Sequence, residues 1–383
     1  MSNDKPDYEA ERGAQVPNDY ADVVVGGQAG SEGKGAVVAW LLRNKDYAAA
    51  VRPGSSNAGH TVYDDGGEPY CHQVIPSAAT VTEDVDCYMA PESSFARGEF
   101  FGELEDMGDR WGTNNAMERV KVDPKAAIIT ENHRETERDR KLGDDIGSTV
   151  HGCGAVRVEK IWRSAGDVDL AEDYEDLGSM APEEGRVPEA IRQHGRDGDA
   201  VMVEGTQGTL LSMNQSPHWP YSTSRDCTAS AFLSSSGLPP SAARDVWCVF
   251  RTYPIRVGGT SGPMEGEEID FETIAERAGH DEPPVEFTSV TNKKRRIFEW
   301  SWEQFEFSLG LNDPDKIALT FLDYIDDDNY GATSWRQLTE ETHDWVTTVE
   351  TVAREINGST VGMLKTGPEA DHFAEPPWVG DSE

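Results

Sequence analysis

The sequence has few cations, no cysteine pairing pattern and no long apolar run. Its 383 residues include 34 Lys and Arg against 71 Asp and Glu, a formal net charge of −37, and just 11 of the cations are lysines. A chain this acidic has no extended basic face for nucleic acid. No apolar run approaches the roughly 20 residues that span a bilayer, and the polar N-terminus lacks a signal-peptide core. We therefore expect a cytoplasmic protein that binds neither nucleic acid nor membranes.

The five cysteines show neither a zinc pattern nor a disulfide framework. They are odd in number and scattered, and no two form a CxxC pair. We expect reduced, mostly structural thiols at Cys71, Cys87, Cys153, Cys227 and Cys248.

The acidic charge has two interpretations. A disordered acidic chain is one. However, the acids are spread among 10 Trp, 12 Phe and 11 Tyr and among regular apolar segments. A folded protein with an acidic surface fits this pattern better. Such a surface maintains solubility where salt screens charge strongly, so the composition indicates a halophile's protein.

Strand and helix patterns alternate along the chain. Buried strands are predicted at 21–25, 48–52, 126–130, 200–204, 245–252 and 316–324, and helices at 34–43, 92–107, 131–141, 187–195 and 345–356. This alternation predicts an α/β fold with a mainly parallel central sheet flanked by helices. Residues 165–186 and 262–284 are rich in Gly, Pro and acids, and we predict that they are surface excursions from the fold and not domain boundaries. We expect a flexible acidic N-terminal extension at 1–20 and one domain at 21–375.

A glycine-rich loop follows the first predicted strand. Gly26-Gly27-Gln28-Ala29-Gly30-Ser31-Glu32-Gly33-Lys34-Gly35 joins that strand to a helix, as in P-loop-like nucleotide-binding folds. Glycines let backbone N–H groups approach phosphates, and Lys34 offers a cation. It is not a strict Walker A, because Gly35 follows the lysine instead of Ser or Thr. Alone, the loop is weak evidence, and a tight strand–helix turn without a ligand is the alternative.

Further polar motifs strengthen the nucleotide-binding interpretation. They are NAGHT (57–61), IGST (146–149), VEGTQGTLL (203–211), WPYSTS (219–224), TNKKRR (291–296), LTFLDYID (319–326) and LKTGP (364–368). Together with the glycine-rich loop, they occur in the order and approximate spacing of adenylosuccinate synthetases. The chain resembles that family over about residues 21–370, and its short loops resemble the archaeal and viral branch.

The resemblance implies a ligase that joins L-aspartate to C6 of a 6-oxopurine nucleotide. A nucleoside triphosphate first phosphorylates O6, with Mg²⁺ as cofactor, and the aspartate amine then displaces phosphate. Matching the motifs implies catalytic roles for Ser31, Lys34, His60 and Gln207. Metal contacts would come from Ser31 and the Gly59 carbonyl. Arg163 matches an arginine that reaches the neighbouring subunit's nucleotide, which implies a homodimer.

The same matching assigns three groups of binding residues. The purine monophosphate would contact Ser31, Asn57, Ser148, Thr149, Arg163, Gln207, Thr223 and Val257. The triphosphate would contact Gly30, Ser31, Glu32, Gly33, Lys34, Gly35, Gly59, His60, Thr61, Arg295, Asp323, Thr366, Gly367 and Pro368. Aspartate would contact Val290, Thr291, Asn292, Lys293 and Arg295.

Four positions depart from the family pattern. Asn292 and Lys293 replace a usual Gly and Arg, and lysine cannot clamp a carboxylate bidentately as arginine does. Phe321 replaces a lysine usual in bacterial members, which leaves the donor open between ATP or dATP and GTP. Ser31 stands where the family carries an aspartate, the base that takes the N1 proton of the purine. A serine hydroxyl is no comparable base.

Three functions fit that serine. A viral branch joins aspartate to dGMP with ATP or dATP, on the way to 2-aminoadenine DNA, and also has serine at this position. Guanine carries a 2-amino group beside N1, for which a shorter side chain leaves room. Alternatively, the chain uses IMP and GTP conventionally and tolerates the substitution, although losing a general base typically costs about 10²–10⁴-fold in rate. A third possibility is a non-catalytic nucleotide-binding homologue.

Overall fold

The computed structural model describes residues 18–64, 66–111, 116–164, 166, 168–288 and 293–379. Nearly all of the predicted N-terminal extension therefore lies outside the described residues. Tyr20 is already buried, and its amide donates to the Ala242 carbonyl. The packed chain thus begins before the predicted boundary at residue 21.

A nine-stranded sheet organises the described chain. In spatial order it contains β16 (Phe373–Ala374), β15 (Thr360–Lys365), β14 (Lys316–Thr320), β10 (Ala243–Arg251), β1 (Ala21–Gly26), β9 (Val201–Glu204), β2 (Ala49–Arg52), β5 (Asp86–Met89) and β7 (Val120–Val122). All neighbouring strands pair in parallel except β16, which is antiparallel to β15. The predicted mainly parallel α/β sheet is confirmed.

The central strands are apolar throughout because both faces of the sheet are covered. In β1, Val23 and Val25 join one apolar layer and Val24 joins the other, and all three are fully buried.

The described helices are α1 (Lys34–Asn44), α2 (Ala78–Val81), α3 (Arg97–Trp111), α4 (Ala116–Arg119), α5 (Glu131–Asp139), α6 (Leu142–Ile146), α7 (Cys153–Trp162), α8 (Glu175–Gly178), α9 (Val187–Asp197), α10 (Ala229–Ser235), α11 (Phe271–Ala278), α12 (Trp302–Asn312) and α13 (Glu340–Asn357). Helices α9, α10, α12 and α13 contribute to the apolar layer of Val23 and Val25, and α1, α2 and α3 contribute to the layer of Val24.

Three predicted elements are shorter in the structure or lie outside the central sheet. The segment 126–130 forms only a short strand, β8 (Ala127–Ile128), which pairs with β6 (Ser94–Phe95) outside the central sheet. Because β6 uses the start of the predicted helix 92–107, helix α3 begins at Arg97. The predicted strand 316–324 ends at Thr320, since Phe321 has a left-handed backbone with φ 60°.

Smaller elements surround the carboxyl edge of the sheet. A hairpin pairs β3 (His60–Tyr63) with β4 (Pro69–His72), and a three-stranded sheet pairs β13 (Arg296–Phe298) with β11 (Ile255–Arg256) and β12 (Glu268–Ile269). The two predicted excursions contain α8, and β12 with α11. Among the described helices, none has both the length and the apolar character to cross a membrane.

Candidate active site

A cavity of about 1060 Å³ lies where β1, β9 and β14 end. This is the edge at which open α/β sheets bind ligands. The cavity brings together residues from all eight sequence motifs, and Arg295 is its one residue from the described part of the TNKKRR run. Of the predicted site residues, its wall contains Gly30, Ser31, Gly33, Lys34, Gly35, Asn57, Gly59, His60, Thr61, Ser148, Thr149, Gln207, Thr223, Val257, Arg295, Asp323, Gly367 and Pro368.

The glycine-rich loop is organised around the buried carboxylate of Glu32. Its Oε1 accepts from the amides of Gln28 (3.2 Å) and Gly30 (2.8 Å), and its Oε2 lies 2.7 Å from Lys34 Nζ. The Glu32 side chain therefore lies beneath the loop and not on the cavity wall. Helix α1 begins at Lys34, so its positive N-terminal end faces the cavity, where it favours anions.

Gly208 holds the loop after β9 against the glycine-rich loop. A β-carbon at this position would lie 2.3 Å from the Gln28 carbonyl and 2.3 Å from Glu32 Oε1. Any other residue would push the two loops apart. This close approach explains the glycine in the VEGTQGTLL motif.

Ser31 lies on the cavity wall with a left-handed backbone of φ 60°. Its carbonyl accepts from Arg251 Nη1 at 3.3 Å. Its hydroxyl has no hydrogen-bond partner within the described part of the chain and is available to a ligand. Aspartate tolerates left-handed backbone well, so the local geometry would accept the acid that Ser31 replaces.

His60 is oriented by a buried carboxylate. Its Nδ1 lies 2.5 Å from Glu204 Oε1, and Glu204 also accepts from the amide and hydroxyl of Ser77 at 2.8 and 2.6 Å. Burial lowers the pKa of His60 to about 4, and the nearby Arg52 guanidinium acts in the same direction. The imidazole is therefore neutral at pH 7, with Nδ1–H donating to Glu204. This leaves Nε2 as the nitrogen not bonded to Glu204.

Gln207 and Asn57 join two motifs on the same wall. Gln207 Nε2 donates to Asn57 Oδ1 at 2.9 Å, and Gln207 has φ 59°. Hydroxyl groups of the IGST and WPYSTS motifs line the same cavity, at Ser148, Thr149 and Thr223. The wall thus supplies many neutral hydrogen-bonding groups, which suit a purine nucleotide.

A buried ion cluster connects the loop of Ser31 with the segment around Arg295. The Glu286 carboxylate pairs with Arg251 and lies 2.9 Å from Arg295 Nη1. Tyr324 Oη donates to Glu286 at 3.2 Å, and the Arg251 guanidinium lies 3.8 Å from the Phe321 ring centre. Burial opposes ionisation of Glu286, but Arg251 and Arg295 outweigh it and lower its pKa.

A second end of the cavity is lined by Phe321, Asp323, Tyr330, Lys365 and the turn at 367–368. Burial raises the pKa of Asp323 to about 6 and lowers the pKa of Lys365 to about 7. The predicted contact Thr366 is fully buried behind this wall, where its hydroxyl donates to the Ala332 carbonyl at 2.8 Å.

Some predicted residues are not brought into the cavity. Arg163 follows α7 on the exposed surface and Lys293 is also exposed, and neither lines the cavity. The predicted aspartate contacts Val290, Thr291 and Asn292 lie outside the described residues.

Comparisons with known proteins point to one family. A sequence model of the family described as "Adenylosuccinate synthetase" matches residues 23–179 and 167–330. The chain is 34% identical to the adenylosuccinate synthetase of Thermococcus onnurineus over 355 residues, covering 92% of this chain and 97% of that protein. It is 33% identical to that of Methanocaldococcus jannaschii, covering 91% and 94%.

The chain belongs to the adenylosuccinate synthetase family. Its members are carbon–nitrogen ligases, and this is the enzyme class of the chain. Among solved structures, it is similar to a succinoaminodeoxyadenylate synthetase of cyanophage S-2L bound to dGMP and dATP, with a TM-score of 0.75, 26% identity and coverage of 95% and 96%. It also shares the fold of a fully ligated adenylosuccinate synthetase from Plasmodium falciparum, with a TM-score of 0.79, 17% identity and coverage of 94% and 100%.

The residues present fit the Mg²⁺ that adenylosuccinate synthetases use with a nucleoside triphosphate. Magnesium takes hard oxygen ligands and usually keeps several waters beside one or two protein groups and substrate phosphates. The Ser31 hydroxyl and the Gly59 carbonyl would be oxygen ligands of this type, and both residues line the cavity. Because Ser31 is neutral, the substrate phosphates would supply most of the negative charge around the ion.

Sequence reasoning missed three charged residues of this site, which are Glu204, Arg251 and Glu286. Glu204 and Arg251 are the last residues of β9 and β10. A charged residue at the end of an apolar strand indicates a ligand edge, so the sequence did contain a signal for these two. Glu286 lies in a proline-rich segment without regular structure, where the sequence carried no comparable signal.

Proposed function

We propose that the chain joins L-aspartate to C6 of dGMP, using ATP or dATP, and forms 2-amino-2′-deoxy-N6-succinyladenylate for 2-aminoadenine DNA. The observation that carries this proposal is Ser31 on the cavity wall, in place of the family's aspartate. The similar cyanophage structure, whose ligands are dGMP and dATP, supports the same assignment.

The physical argument concerns the space beside N1 of the base. Guanine has a 2-amino group there and hypoxanthine has none. Serine has a hydroxyl where aspartate has a carboxylate, so its side chain is smaller and neutral, and the free hydroxyl of Ser31 can accept a hydrogen bond from that amine. An aspartate at this position would place a full charge and more volume in the same space.

The site residues have roles that follow from phosphoryl transfer to O6. Negative charge develops on the transferring group, so positioned donors and cations provide most of the stabilisation. Bound Mg²⁺ would supply charge neutralisation there. The α1 N-terminus and Lys34 hold the triphosphate, His60 lies at O6, and Asn57 with Gln207 orients the purine monophosphate. Arg295 contributes a cation for the aspartate carboxylates.

Two other functions remain alternatives. A conventional IMP-using, GTP-dependent synthetase is supported by the similarity to archaeal adenylosuccinate synthetases. A non-catalytic homologue would have little reason to retain Lys34, the His60–Glu204 pair and the glycine contact at Gly208. We therefore place IMP use second.

We also propose that the enzyme is a homodimer in which Arg163 reaches the partner's nucleotide. Helix α7, which precedes Arg163, exposes Val158 (47%), Ile161 (68%) and Trp162 (65%). Adjacent apolar side chains of this size are typical of protein–protein interfaces. The position of Arg163 outside its own cavity agrees with a role in a second subunit.

Phosphate release with dGMP, GMP or IMP, each with aspartate and ATP, dATP or GTP, tests the substrate assignment. We expect the highest kcat/KM with dGMP and ATP or dATP. Ser31→Asp should lower kcat/KM for dGMP by at least about tenfold and improve use of IMP, whereas Ser31→Ala, which adds no volume, should retain dGMP preference. Wild-type preference for IMP would refute the proposal, and intact binding without any turnover would favour the non-catalytic homologue.

A further inference from the structure

The buried carboxylate of Glu137 caps a helix that begins at the cavity wall. Glu137 lies near the end of α5, is 4% exposed and lines the cavity. Its Oε1 accepts from the amides of Gly154 at 2.7 Å and Ala155 at 3.3 Å, and its Oε2 accepts from the amide of Gly152 at 2.8 Å. Helix α7 begins at Cys153, so these amides lie at its N-terminal end and have no acceptor within the helix. A side chain from another helix therefore satisfies them.

The loop that ends at this cap carries cavity hydroxyls on a strained backbone. Ser148, Thr149 and His151 line the cavity. Between them, Val150 has φ 55°, which is an outlier for a β-branched residue. Such strain persists where surrounding contacts hold the backbone, and it is concentrated at ligand sites. The strain at Val150 therefore points to a function for the conformation of this loop.

Contacts at both ends hold the strained loop. At its start, Gly147 packs so closely that a β-carbon there would lie 2.7 Å from Ser261 Cα. At its end, Gly152 has φ 84° and its amide donates to Glu137. The amide of Val150 bonds within the loop, to the hydroxyl oxygen two residues earlier at 3.2 Å. Weakening the bonds to Glu137 would therefore release one of the two anchored ends.

Glu137 also occupies a position that would otherwise attract phosphate. The amides and the dipole at a helix N-terminus favour anions, and Cys153 and Gly154 at this end of α7 line the cavity. A resident carboxylate uses these amides and repels a second anion. The phosphate of a bound nucleotide is thereby directed to the hydroxyls of Ser148 and Thr149.

We propose that Glu137 is a positioning residue for the purine monophosphate. Its carboxylate fixes residues 148–152 in the strained form that presents the Ser148 and Thr149 hydroxyls, and it closes the α7 N-terminus to phosphate. This inference rests on the proposed function and on its predicted nucleotide contacts, Ser148 and Thr149. Glu137 acts through the loop and not on the reacting atoms.

Calorimetric titration of Glu137→Gln tests this role without turnover. Glutamine keeps the size of the side chain, but it removes the charge and turns an NH₂ group toward one of the three amides. The Kd of dGMP or IMP, whichever the wild type binds more tightly, should rise by at least about tenfold, as expected when hydrogen bonds to a charged group are weakened. The Kd of a non-hydrolysable ATP or GTP analogue with Mg²⁺, chosen in the same way, should stay within about twofold.

Asp123→Asn is the matched control. Asp123 is fully buried, and its Oδ2 accepts from the amide of Val187, the first residue of α9, at 3.0 Å. It does not line the cavity, so its variant should lower the Tm as Glu137→Gln does but leave both Kd values unchanged. Glu137→Asp keeps the charge on a shorter side chain and should raise the monophosphate Kd by a smaller factor. It keeps the role testable if Glu137→Gln does not fold.

Three results would overturn the proposal. An unchanged monophosphate Kd in Glu137→Gln would exclude a positioning role. Tighter binding would show that phosphate uses the α7 amides, and equal weakening of the monophosphate and the triphosphate analogue would show a general loss of structure. Because these titrations contain no aspartate, a wild type that binds the monophosphate but does not turn over dGMP would count against the proposed function and not against the role of Glu137.

Discussion

Replacing Glu204 by Gln should separate the two functions of that carboxylate, which are to stabilise the fold and to orient His60. Glu204 is fully buried, lies 2.5 Å from His60 Nδ1, accepts twice from Ser77 and lies 3.6 Å from Arg52. Glutamine keeps the size of the side chain but has one acceptor and removes the charge. Its NH₂ group would meet the donors of Ser77 and His60.

The magnitude follows from these contacts. Removing one partner of a buried charge pair typically costs about 3–5 kcal/mol, because the other charge remains buried. Arg52 also donates to the carbonyls of Ala58 and Ile75, which places the expected cost at the lower end, about 3 kcal/mol. Facing an amide N–H, His60 would place its proton on Nε2. Loss of a positioned acid–base group lowers kcat by about 10²–10⁴-fold, and we expect about 10²-fold because the imidazole itself remains.

Glu103→Gln is the matched control. Glu103 also faces a histidine, with its Oε1 3.3 Å from His72 Nδ1, and it accepts from the amides of Gln73 and Val74. Neither Glu103 nor His72 lines the cavity. Urea denaturation should show lower stability for both variants, whereas phosphate release should fall only in Glu204→Gln. If kcat were unchanged in Glu204→Gln, or fell equally in both variants, the orienting role would be refuted.

Three further predictions concern pH, oligomeric state and salt. Burial raises the pKa of Asp323 to about 6, so its carboxylate gains a proton as the pH falls through 6. The kcat/KM for the triphosphate should fall there in the wild type and stay flat in Asp323→Asn, and parallel profiles would contradict the predicted contact between Asp323 and the triphosphate. Because the pKa of Asp323 is raised from the ordinary 3.8 to about 6, the stability contributed by its neutral carboxyl group is complete below pH 3.8 and is lost as the pH rises through 6. Ile161→Glu should give monomers in light scattering and lose activity, with Ile356→Glu on α13 as control; a dimeric, active Ile161→Glu would exclude α7 from the interface. Activity should decrease when salt is removed, because a net charge of −37 repels itself where screening is weak; full activity in dilute buffer would contradict the halophilic interpretation.

The sequence predicted the sheet well where burial alone determines the pattern. The apolar segments of β1, β2, β9 and β10 can only be strands covered on both faces, so their type and order were readable. Segment 126–130 is equally apolar, yet it forms a short strand in a separate sheet. Local pattern cannot distinguish these outcomes, because the partner strand β6 is distant in sequence and only two residues long.

The site was predictable where a motif carries its own chemistry. Lys34, His60 and Gln207 lie in motifs whose glycines and polar residues mark a ligand edge. Arg251 and Glu286 were missed because they form an ion pair although they lie 35 positions apart in the sequence, and neither belongs to a recognised motif.

Glu32 orders the glycine-rich loop before the triphosphate binds. Its carboxylate occupies amide donors of the glycine-rich loop and holds Lys34 in a fixed position before any ligand arrives. The Glu32 carboxylate therefore fixes the shape of the loop in the folded protein, so triphosphate binding costs little conformational entropy in the loop. Lys34 has three N–H donors and uses one of them on Glu32, so an incoming phosphate meets a cation that is already in position and shares its charge with Glu32.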